Sequence, residues 1–66
     1  MTTDQCESAL RKIDRAIVRT NDALIAIEEI GPVDPEIGAS IYLSQTNLKE
    51  LIQCMRKTRS MIFDKS

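Results

Sequence analysis

Few residues in this chain have side chains that do chemistry. Histidine is absent, which removes an imidazole base and any triad built on one. The nucleophiles are Cys6 and Cys54, and Cys54 lies between Gln53 and Met55 with no base beside it. Two cysteines are too few for a disulfide framework and too widely spaced for a metal knuckle. Two glycines cannot form a phosphate-binding loop. The Asp and Glu pairs occur at ordinary helix-surface spacings, and a thin helical chain offers no dry pocket to retune a carboxylate. These residues predict a protein that is not an enzyme and uses neither cofactor nor metal.

What remains is a pattern for association. Cys6, Leu10, Ile13, Ile17, Thr20, Leu24 and Ile27 step by four and three, which keeps them on one face of a helix. Ile37, Ile41, Ser44, Leu48, Leu51, Met55, Thr58 and Ile62 do the same after Gly31-Pro32-Val33-Asp34-Pro35. The break carries its own signals. Gly31 can take the left-handed conformation that closes a helix, Asp34 can cap the next one, and Pro35 fits its first position. The prediction is all-α: helix one over about 4–30, a turn at about 31–34 and helix two over about 36–63. A turn that short forces an antiparallel two-helix hairpin. At the start, Thr2 with Gln5, or Asp4 with Glu7, has capping-box spacing. Gly38 is a weak point in the first turn of helix two, with Ser40 as a later cap if that turn is irregular.

In a hairpin turning near Val33, Cys6 falls opposite about Ile62 and Cys54 opposite about Asp14. That offset is roughly 12 Å at helical rise, beyond disulfide reach. Both thiols are therefore read as small apolar side chains.

Two helices cannot cover their own apolar face in 66 residues, so the core is expected to be completed by a protein partner or by a homo-oligomer, a dimer forming a four-helix bundle. Ala9, Ala16, Ala23 and Ile30 form a second row at intervals of seven that allows close approach. Apolar residues off the seam mark a partner-binding surface: Val18 and Ile25 on helix one, Ile52 and Met61 flanking helix two, and Tyr42, Leu43 and Phe63 further round. The hydroxyls at Thr20, Ser44 and Thr58 are read as bonded to the preceding helical turn.

Net charge is −1, but the charges are sorted. Residues 1–20 and 55–66 carry eight cations against four carboxylates, a net +4; residues 21–54 carry one against six, a net −5. Part of this follows from helix dipoles, with Arg56, Lys57 and Arg59 near the C-terminus of helix two. Glu28 and Glu29 sit at the unfavourable end of helix one. The longest apolar run, residues 23–27, is far short of a membrane span, and the first residues have no basic-then-apolar leader. A cytosolic location without membrane attachment is the expectation.

The length, the hairpin layout and the stretches Asp34-Pro35-Glu36, Tyr42-Leu43-Ser44-Gln45 and Leu48-Lys49-Glu50-Leu51-Ile52 resemble the small co-chaperone subunits of type III secretion needle systems. In that family a short helical hairpin joins a larger helical-repeat chaperone and keeps the needle subunit soluble before export. The resemblance implies a noncatalytic adaptor or co-chaperone. It rests on size and layout and transfers no functional residue; helix two departs from the family in having few alanines and aromatics. A different class is a nucleic-acid-binding hairpin dimer in which Arg11, Lys12, Arg15, Arg19, Arg56, Lys57 and Arg59 track phosphates. The net charge and the scarcity of stacking side chains argue against it. A phage or toxin-system inhibitor of a host protein would have the same sequence features.

Overall fold

A computed structural model describes residues 1–65 of the chain. Helix α1 spans Thr3–Glu28 and helix α2 spans Pro35–Asp64; they pack against each other as an antiparallel hairpin. The backbone extents are 51 × 15 × 9 Å, so the molecule is one helix thick.

Each helix starts where its side chains can satisfy orphan amides. The Thr2 hydroxyl accepts from the Gln5 amide at 3.1 Å, and the Gln5 side chain accepts from the Thr2 amide at 2.9 Å. This reciprocal box, and not the Asp4–Glu7 alternative, opens α1. Asp34 caps α2 by accepting from the amides of Glu36 and Ile37, both at 3.0 Å, with Pro35 next. Gly38 needs no later cap, and a Cβ there would lie 3.8 Å from a Val33 methyl, an ordinary contact.

The end of α1 comes earlier than the apolar pattern suggests. Glu29 is the C-cap, the Ile30 amide donates to the Ile27 carbonyl at 3.2 Å, and Gly31 turns the chain at φ +82°. Ile30 thus belongs to the turn and not to the alanine row of α1. At the other end α2 runs on to Asp64, and its last turn carries no base. Arg56, Lys57 and Arg59 lie too far back for the dipole to account for them, since that effect fades within one turn.

The predicted seam of α1 is correct throughout: Cys6 and Leu24 are buried, and Leu10, Ile13, Ile17, Thr20 and Ile27 are half-buried. That of α2 is correct at alternate positions only. Ile41, Leu48, Met55 and Ile62 are half-buried, but Ile37, Ser44, Leu51 and Thr58 are exposed. Gly38, Gln45 and Ile52, one residue later in each heptad, are half-buried or buried in their stead, while Arg59, next in that series, is exposed. Ile52, expected on a partner-binding flank, is instead one of three buried hydrophobic residues among those described, with Cys6 and Leu24. Both sets of positions step by three and four; the set that faces α1 is the one with Ile52 at its centre, although it also holds Gly38, Gln45 and Arg59.

Candidate interaction surface

Heptad geometry sorts the remaining side chains once the seams are known. In an antiparallel helix pair, the positions just before each first seam residue share one side of the hairpin, and those just after each second seam residue share the other. The first side carries Ala9, Ala16 and Ala23 from α1 beside Ile37, Ser44, Leu51 and Thr58 from α2. The next positions outward on that side are Gln5, Lys12, Arg19 and Ala26, and Ser40, Asn47, Cys54 and Met61. No carboxylate occurs among them, and Lys12 and Arg19 are their only charges. We call this the alanine face.

The opposite face is a polar one. Glu7, Asp14, Asn21 and Glu28 run beside Tyr42, Lys49, Arg56 and Phe63, with Asp4, Arg11, Val18 and Ile25 outside them. Its charges alternate in sign across the two helices, which suits a solvated surface. From this side Asp14 accepts from the Arg59 Nε–H at 2.6 Å, an ion pair that ties the seam cation of α2 to α1. Both side chains are about half exposed, so their coupling is expected to be below about 1 kcal/mol. A double-mutant cycle of Asp14→Ala and Arg59→Ala, read by urea unfolding, checks this.

The predicted partner-binding residues divide, four on one face and three elsewhere. Val18, Ile25, Tyr42 and Phe63 stand on the polar face, all exposed. Leu43 is exposed on the outer back of α2, Ile52 is in the core, and only Met61, also exposed, joins the alanine face. The predicted phosphate-tracking set is divided too. Arg11 and Arg56 are on the polar face, Arg15 and Lys57 are on the outer backs of their helices, and Arg59 is engaged by Asp14. Lys12, Arg15 and Arg19 do converge, lining a shallow open groove floored by Ala16 and Thr20 at the rim of the alanine face.

The alanine face escaped sequence reading because half of it was spent on the wrong seam. Two of its hydroxyls are locally satisfied: Ser44 donates to the Ser40 carbonyl at 3.1 Å and Thr58 to the Cys54 carbonyl at 3.0 Å. Thr20 in the seam donates to the Ala16 carbonyl at 2.8 Å. These are the predicted back-bonds, and they leave these three hydroxyl protons already engaged. Cys6 is buried and Cys54 exposed, both as free thiols.

Among the described residues no group of three His, Cys, Asp or Glu side chains is placed to hold a metal ion, and no helix is long and apolar enough to cross a membrane. No protein-family model matches the chain, and no curated protein or solved structure matches it.

Proposed function

We propose that the chain is a noncatalytic interaction subunit, an adaptor or small co-chaperone of the cytosol, that completes its core on another helical surface. The observation that carries this reading is the thinness of the burial. Among the described residues three hydrophobic ones are buried, while eleven large ones from Met1 to Phe63 stay exposed. A hairpin with so small a core is marginal on its own, and burying a second apolar face supplies what it lacks.

The test is a dilution series followed by circular dichroism and light scattering, with the chain alone and beside a cell extract. Helicity that falls on dilution, or that rises when a helical protein is captured, supports the reading. A cooperatively folded monomer at every concentration that captures nothing overturns it.

One observation favours nucleic acid as a second reading: the groove lined by Lys12, Arg15 and Arg19. A salt-dependent gel shift with RNA or DNA, lost in the triple alanine variant, would establish it; no shift at low salt removes it.

A further inference from the structure

We propose that the alanine face seats a second copy of this chain, packed antiparallel with α1 on α1 and α2 on α2, in a four-helix bundle. This deepens the interaction reading and rests on it. Three observations converge on it.

The first is area. The chain exposes 5149 Å². A compact protein of its 7.4 kDa mass would expose about 4,200 Å². The excess of about 900 Å² is close to the roughly 800 Å² that each partner contributes to a stable interface.

Charge is the second. The end with the chain termini carries a net +4 and the turn end a net −5. A parallel pair would set like ends together, whereas an antiparallel pair sets each basic end against an acidic one. The alanine face adds no carboxylates of its own to oppose this.

Symmetry supplies the third. A two-fold contact must be complementary to itself. Ala9 and Ala23 lie seven residues either side of Ala16, and Ser44 and Thr58 lie seven either side of Leu51. Counted from the turn, Ala16 lies twelve residues before the end of α1 and Leu51 sixteen after the start of α2, which leaves them about one helical turn apart in height. One two-fold axis across the helices near these residues therefore matches Ala9 to Ala23 and Ser44 to Thr58. Small residues along α1 let the two copies of that helix approach closely, while paired Leu51 side chains fill the wider space between the α2 helices. The arrangement has one cost: Lys12, Arg15 and Arg19 gather round Ala16 and come close to the same three residues of the other copy. All three side chains are exposed and long enough to diverge into water.

Sedimentation equilibrium and cysteine trapping test this, in a Cys54→Ser background where Cys6 is fully buried. The expected results are twice the chain mass, a covalent dimer from Ala16→Cys under mild oxidation, and one from Ala9→Cys mixed with Ala23→Cys. Leu51→Glu raises the dissociation constant on the order of 100-fold, whereas Ile25→Glu on the polar face leaves it within a few-fold. A dimer that Ala16→Cys fails to trap, or that Ile25→Glu dissociates and Leu51→Glu does not, overturns the face and orientation. A chain that stays monomeric until a different helical protein joins it overturns self-association and leaves the interaction reading standing. A folded monomer that joins nothing overturns both.

Discussion

Ile52→Ala is expected to cost about 2–5 kcal/mol, enough to unfold most of a hairpin this small at ordinary temperature. Ile52 is 7% exposed and sits midway along α2, so the truncation removes transfer energy and leaves a void between two helices that cannot collapse without losing register. Ile25→Ala is the matched comparison. Ile25 is 45% exposed on the polar face, and the same change there is expected to cost under about 1 kcal/mol. Circular dichroism melts of the two variants, at one protein concentration, separate the outcomes. Equal loss in both, or greater loss at Ile25, would mean that Ile52 is not the centre of the core.

Asp34→Ala is expected to cost about 1–2 kcal/mol, at the upper end for a cap, because one carboxylate oxygen serves two amides and nothing else stands in for it. The change also removes a negative charge from the positive end of α2. Asp34→Ser keeps an acceptor and should recover most of the loss. Chemical denaturation with both variants decides it: a serine variant no better than alanine would show that the cap bonds contribute little and that the turn is held by Gly31 and the prolines alone.

The elements were legible because local chemistry writes their ends. Thr2, Gly31 and Asp34-Pro35 act within a few residues of themselves, and a cap needs no tertiary partner to be recognised. The α1 seam was legible for a related reason: its heptad has one apolar solution, with charges on the outside. Helix α2 has two. Ile41, Leu48, Met55 and Ile62 serve both rotations, Ile37 and Leu51 support one and Ile52 the other, and the choice rests on how α2 meets α1, which lies forty or so residues away in sequence. Arg59 deepened the ambiguity, because a cation at a seam position reads as surface until Asp14 is seen beside it. The candidate surface followed the seam: once α2 turned, Ile52 left the flank, Leu51 took its place, and the alanine row of α1 acquired a neighbour. Composition alone could not have shown that Val18 and Ile25 lie among charges of both signs while Ala16 lies among cations only.

The turn between the helices has a consequence for how copies would trade places. An apolar seam is indifferent to whether its two halves come from one chain or two, and many hairpins open to lend a helix to a neighbour. Here Pro32 lies between a left-handed Gly31 and the capped start of α2, and a proline inside a continuous helix would remove a backbone bond and clash with the preceding turn. The chain therefore resists straightening into the single rod that such lending requires. The short tether also keeps α2 at high local concentration beside its own α1. Any traffic between assemblies would move whole hairpins, each arriving with its inner contacts already made.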